Sequence, residues 1–322
     1  MKSSHLFALS AFSAAICASK LRVETFINDG PSLNMVSSLI IGSNASILID
    51  MPLAIPQAQA LAAWVSSTTD TPLIAVFTTH FHPDHYLSGA ALLSHFPSTK
   101  YFANSGAVAH IQNEAAEQVR AWGGILGAGS VSEEPVLPMP YDFTFFTLPG
   151  DEDEPINLLS PLVGDTVDET LFWIPSIETL VAGDAVYAKD MHLWLADLAT
   201  PALTDAWLST LDFIEYLQPR RIIPGHAVST KSFCNLEDLK HSRDYVTFFK
   251  ERIQAEGADA FTSQEIFGMF DEKFPGILSQ NSAVILNISS ENFGRGGVEK
   301  EHYFDLKAFN STEILEGWEF GI

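Results

Sequence analysis

Seven consecutive residues, Thr79-His80-Phe81-His82-Pro83-Asp84-His85, hold three imidazoles and a carboxylate within six positions. Side chains alternate along extended backbone, so His80 and His82 point the same way and can converge on one metal ion. Asp84 and His85 follow a turn set by Pro83 and can reach a second ion nearby. Imidazole and carboxylate donors together suit zinc, and also iron or manganese. A cluster this compact needs remote residues to complete its coordination. Two later segments fit: Ala182-Gly183-Asp184 and Ile223-Pro224-Gly225-His226 each put a donor at the end of an apolar run. Donors at strand ends on one rim are a common way to build a site from distant sequence.

The elements that must position these residues alternate between strand and helix. Residues 39–41 and 47–49 are short β-rich runs around Gly42-Ser43-Asn44, which reads as a hairpin, and the second run ends at Asp50. Leu73–Phe77 reads as a strand buried on both faces that delivers the histidine segment. Helices are expected at 57–65, 88–96, 106–122, 204–217 and 236–256. Further strands are expected at 100–103, 171–174, 179–182 and 221–223. Such mixing indicates an α/β layered domain. The acidic run Asp151-Glu152-Asp153-Glu154 reads as a solvated loop tip.

Composition narrows the function. The chain has 322 residues with 17 Lys+Arg against 40 Asp+Glu, a formal charge of −23. That balance argues against phosphate-backbone binding, which needs clustered cations, and against docking on anionic membranes. Residues 6–18 form an uncharged apolar stretch after Lys2, too short to span a bilayer and followed by small residues. It reads as a signal peptide covering 1–18, so the protein is expected to be secreted, with no membrane segment once it is removed. Cys17 falls inside that segment. Cys234 is then the one mature thiol, expected in the core, and disulfide-stapled folds are excluded. Asn44-Ala45-Ser46, Asn287-Ile288-Ser289 and Asn310-Ser311-Thr312 are glycosylation sequons.

The segments ending Leu48-Ile49-Asp50, then THFHPDH, LVAGD and IIPGH, resemble in order and spacing the metallo-β-lactamase-fold hydrolase superfamily. The resemblance implies an αββα sandwich, here expected over 19–235, with 236–322 as a helical C-terminal part packed on the same domain. It implies that His80 and His82 bind a first metal, that Asp84, His85 and His226 bind a second, and that Asp184 bridges them. The histidine that usually completes the first site is absent. Asp165, in the Gly164-Asp165-Thr166 frame, is the first substitute and Asp168 the second. A carboxylate there makes a harder site than a third imidazole. Asp50 resembles the family's structural aspartate beneath the metals. Tyr187, three residues after Asp184, resembles the lactonases of this fold, where a tyrosine hydroxyl faces the substrate carbonyl or leaving oxygen.

The implied function is hydrolysis of a small molecule by a metal-bound hydroxide, with one or two divalent ions, zinc foremost. Asp84 handles the proton. A cyclic ester, amide or thioester is the expected substrate, a lactone or lactam first. A phosphodiesterase, and a non-catalytic ligand-binding member, are the alternatives. Specificity is expected in loops 123–140 and 190–201 and after Cys234. His192, Trp194 and Trp173 are read as packing residues.

Overall fold

A computed structural model describes residues 20–257 and 260–295. The expected signal peptide, Cys17, the sequon at Asn310 and the last part of the C-terminal extension lie outside the described residues. One sheet runs in the order β1 (Arg22–Asn28), β2 (Met35–Ile41), β3 (Ser46–Ile49), β4 (Leu73–Phe77), β5 (Lys100–Ala103) and β6 (Met139–Pro140). The other comprises β7 (Phe145–Leu148), β8 (Asp151–Leu162), β9 (Glu169–Ile174), β10 (Thr179–Gly183) and β11 (Arg221–Pro224), adjacent in chain order. Helices α1 (Ile55–Thr68), α2 (Gly89–Leu93) and α3 (Ser105–Leu126) follow the first sheet's strands. Helices α4 (Pro201–Leu217), α5 (Glu237–Arg252), α6 (Ser263–Lys273) and α7 (Gln280–Phe293) belong to the second half. No helix of the described residues is long and apolar enough to cross a membrane.

Three apolar clusters separate four layers. Leu39, Ile41 and Leu48 pack with Leu61 and Val65 of α1 and Ile111 of α3. Their strand neighbours Ile40, Ile47 and Ile49 point the other way and meet Phe172, Val181 and Ile223 of the second sheet. Leu171, Leu180 and Ala182 then pack outward on Trp207, Tyr245, Phe249 and Leu286 of the second helical layer. This is the expected αββα sandwich. With both sheet faces covered, central strands are apolar at successive positions, which is why they were readable as plain hydrophobic runs.

Three expectations are corrected. The acidic run at 151–154 opens β8 and is not a loop tip. Asp151 is buried and accepts from Ser43 N and Ser43 Oγ, both at 2.6 Å, so its charge is spent on the β2–β3 turn. Ile74 of β4 is 37% exposed, so that strand is not covered at every position. Cys234 is exposed, because Phe233 beside it takes the core place between the sheets.

The layering brings the strand ends to one rim. β3 and β4 run parallel, as do β10 and β11, so Asp50, the histidine segment, Asp184 and His226 leave their strands at carboxyl ends. The two sheets are tied there: Val36 N donates to Gly225 O at 2.7 Å, and Met35 bridges to His226.

Candidate metal centre

Local backbone chemistry aims the ligands. His82, preceding proline, is extended (φ −65°, ψ 140°), and Pro83–His85 form one tight turn. Thr78 Oγ1 donates to His85 O at 2.7 Å and closes that turn. Gly183 sits at φ +52°, where its lack of a Cβ lets β10 swing Asp184 inward. Gly225 is required by close approach, since a Cβ there would collide with the Asp184 carboxylate.

Two groups of donors result: His80, His82, Asp165 and Asp184, and Asp84, His85 and His226, with each group's donor atoms within 4.8 Å of one another. His82 Nδ1 lies 3.4 Å from Asp165 Oδ2, and His80 Nε2 lies 4.0 Å from Asp165 Oδ1. Asp184 joins the groups, with Oδ1 3.3 Å from His85 Nε2 and Oδ2 3.2 Å from His226 Nε2. Asp84 Oδ2 is 3.3 Å from His226 Nε2. All seven expected residues therefore meet at one place. Asp168 does not join them: its carboxylate is 3.2 Å from His110 Nε2, and His110 stacks on Phe81.

Each imidazole has one nitrogen held by the scaffold and the other turned inward. His226 Nδ1 donates to Leu33 O at 2.9 Å, and His85 Nδ1 lies 3.0 Å from Asp50 Oδ2. His80 Nδ1 meets Thr79 Oγ1 at 2.9 Å, and that hydroxyl reaches Asp50 Oδ2 at 2.9 Å. Thr79 N also donates to Asp50 Oδ1 at 2.7 Å, so Asp50 orients both an imidazole and a loop amide. His82 Nε2 is held by Asp197 Oδ2 at 2.8 Å. Such outer partners set tautomer and ring direction at metal sites.

The inward atoms fit a cation. His80 Nε2, His85 Nε2, Asp165 Oδ1 and Asp184 Oδ1 are buried with no hydrogen-bond partner. Four such atoms converging in one rim is costly unless something with positive charge satisfies them. Four imidazoles and three carboxylates make a donor set of the kind zinc, iron and manganese accept.

The electrostatics of the side chains alone show the same crowding. Burial lifts Asp165 to about 7, against the pull of His82, while Asp184 pushes it further up. Against their own burial, His82 is raised well above the imidazole range by Asp165 and Asp197, and His226 to about 10 by Asp184. His80 goes the other way, lowered by burial and by His85 and His82. Tyr187 is held well above the phenol range by burial and by the charges of Asp165 and Asp184. Its hydroxyl lies 2.7 Å from Asp165 Oδ2 and 2.5 Å from Asp184 Oδ2, and Tyr187 also lines the cavity over these carboxylates.

Sequence reading missed two acids here. Asp197 lies in a loop flagged only for specificity, and nothing in its spacing marks it as the partner of His82. Glu169 is fully buried with neither oxygen bonded, and burial, then Asp165 and Asp184, raise it well above the carboxylate range. Trp194 and Trp173 pack on the second helical layer as expected and His192 pairs with Tyr245, but Trp194 also lines the cavity over the metal centre. That cavity has a volume of about 600 Å³ and reaches His82, Asp84, Asp165, Asp184 and His226.

Comparison with known proteins accords with this geometry. The metallo-beta-lactamase superfamily model matches residues 33–226, a span that holds all seven donors. No curated protein matches the chain. Among solved structures, a metallo-beta-lactamase from Pontibacter korlensis is 17% identical, with 71% of this chain and 95% of that one covered and a TM-score of 0.48. One from Erythrobacter litoralis is 21% identical, with 66% and 86% covered and a TM-score of 0.46. DIM-1 metallo-beta-lactamase is 17% identical, with 71% and 98% covered and a TM-score of 0.46. With its family match running over more than half its length and a His/Asp cluster at the rim, the chain belongs to the metallo-beta-lactamase superfamily and is a metallo-hydrolase of it.

Proposed function

We propose that this protein hydrolyses a small cyclic ester, amide or thioester, with a lactone or lactam preferred. The supporting observation is the pair of donor groups joined through Asp184 at the floor of a cavity of about 600 Å³. Divalent ions held there, zinc foremost, would supply Lewis acidity to a carbonyl and would acidify water. His80, His82, Asp165 and Asp184 would hold one ion, and Asp84, His85, His226 and Asp184 the other.

The chain's own residues do the rest. Asp84 reaches the cavity, and its carboxylate is placed to accept a proton there and return it to the leaving atom. Asp84 stays ionised: burial opposes this, but His226 and His85 hold it below the usual carboxylate range. Tyr187 keeps its proton across the neutral range, spans Asp165 and Asp184, and lies flat against His226 with ring centroids 5.2 Å apart. It therefore acts as a positioning residue that fixes two carboxylates and one imidazole. No serine or cysteine nucleophile is needed.

A panel of lactone, lactam, thioester and phosphodiester chromogens on metal-loaded protein tests this reading, with His82→Ala and Asp84→Asn as controls. Cleavage of a lactone or lactam, lost by at least about 100-fold in both variants, is the expected outcome. Cleavage confined to phosphodiesters, or unchanged rates in the variants, would refute it.

A further inference from the structure

The cavity walls are unusual for an acidic protein that needs a substrate to approach its rim. One wall is a single face of α3: Glu114, Glu117, Gln118, Ala121, Trp122 and Ile125 recur at helical spacing. The opposite side is formed by Ile285 and Ile288 of α7, one turn apart, and by Trp194. Among the described residues none that lines the cavity is lysine or arginine, and the lining imidazoles, His82 and His226, are the inward-turned donors. Glu117 adds a carboxylate to the lining, beside Glu114 and Asp197, which pair with His110 at 3.8 Å and His82 at 2.8 Å respectively. Ile125 is 70% exposed there, a large apolar side chain standing in water beside the entrance.

Resting on the hydrolase reading above, we propose that the substrate carries an uncharged apolar tail that lies between α3 and α7, and that substrates bearing a carboxylate at the far end of that tail are rejected. Two physical terms carry this. Covering Trp122, Ile125, Trp194, Ile285 and Ile288 removes apolar surface from water, and each methylene of a tail gains a few-fold in affinity. A carboxylate at the far end of the tail lies away from the cationic floor and meets the α3 wall that carries Glu117, with no lysine or arginine among the described lining residues. Selecting an anionic group at that end, beyond reach of the metal donors, needs a lysine or arginine at the wall. Gln118 stands on that α3 face, at the cavity wall.

Binding of hydroxamates to the metal-loaded protein tests the proposal, because the head group is constant and only the tail changes. Calorimetric Kd values are compared for acetyl, hexanoyl and octanoyl hydroxamate, and for octanoyl hydroxamate carrying a terminal carboxylate. Octanoyl, six methylenes longer, is expected to bind at least about 100-fold more tightly than acetyl. The carboxylate is expected to remove about 10-fold or more of that gain. Ile125→Ser with Ile288→Ser, both changes at solvent-reached positions, should cost about 10-fold for octanoyl and leave acetyl unchanged. Gln118→Lys should recover the carboxylate-bearing ligand. Equal affinity along the chain series, or equal affinity for the carboxylate and its neutral counterpart, would overturn the proposal. Lactone and lactam turnover is measured on the same preparations. Absent turnover with an intact affinity series would defeat the hydrolase reading alone, and turnover without the series would defeat this inference alone.

Discussion

Asp197 Oδ2 lies 2.8 Å from His82 Nε2, and the other nitrogen of that ring, Nδ1, faces Asp165 Oδ2 at 3.4 Å. The contact joins residues 115 positions apart and couples a wall of the cavity to a metal donor. Trp194 Nε1 extends the link by donating to Asp197 Oδ1 at 3.4 Å.

Removing that contact should loosen the first metal selectively. Asp197→Ala is expected to weaken one of two metal affinities by about 10–100-fold, and Asp197→Asn by less because its amide oxygen still accepts. Competition with a chelator of known affinity reads both constants. Unchanged affinities in the alanine variant would show that His82 needs no such support.

Asp165 and Asp168 make opposite predictions. Asp165→Ala should lose one metal equivalent, and Asp165→His should shift preference toward zinc by exchanging a carboxylate for a borderline nitrogen donor. Asp168→Asn should keep full metal content, since Asp168 pairs with His110 and asparagine tolerates its φ of +56°. Elemental analysis of the three variants decides between them.

His110 should make stability depend on pH. Burial opposes its charge, but hydrogen bonds to Asp168 and Glu114 raise it to about 9 in the fold. Its unfolded value is about 6.5. The stabilisation is therefore complete below pH ~6.5 and disappears as pH rises through about 9. Urea unfolding of the parent and of His110→Gln at pH 6 and pH 10 should differ by about 1–3 kcal/mol at the lower pH and by little at the higher. An equal difference at both values would contradict the assignment.

Asp151 carries structure rather than chemistry. Asp151→Ala strands the donors of Ser43 and should cost about 1.5–3 kcal/mol in chemical denaturation, with metal content unchanged.

How much of this was legible in the sequence depended on burial geometry. β3, β10 and β11 lie between two covered faces and β4 is covered at all but Ile74, so they read as apolar runs, and the donors at their ends were found with them. β1 was missed because Arg22 and Glu24 alternate with buried Val23 along its opening. β8 was missed because its four leading acids mimic a loop, and only the fold reveals that Ser43 meets the first of them. The seven candidate donors were found from sequence, including Asp165 in place of an imidazole. Asp197 and Glu169 were not, because their environments are made by chain segments that meet only after folding. The pocket walls were expected in loops. Loop 190–201 does contribute Trp194 and Asp197, but the larger walls are the faces of α3 and α7.

The central claim is that the rim residues form a two-metal centre, and metal content by elemental analysis tests it most directly. Protein purified without chelator, then stripped and reloaded with zinc, should hold two equivalents per chain, with Asp184→Ala losing both sites because Asp184 belongs to each. Metal content near zero that added zinc, iron or manganese cannot raise would contradict the account.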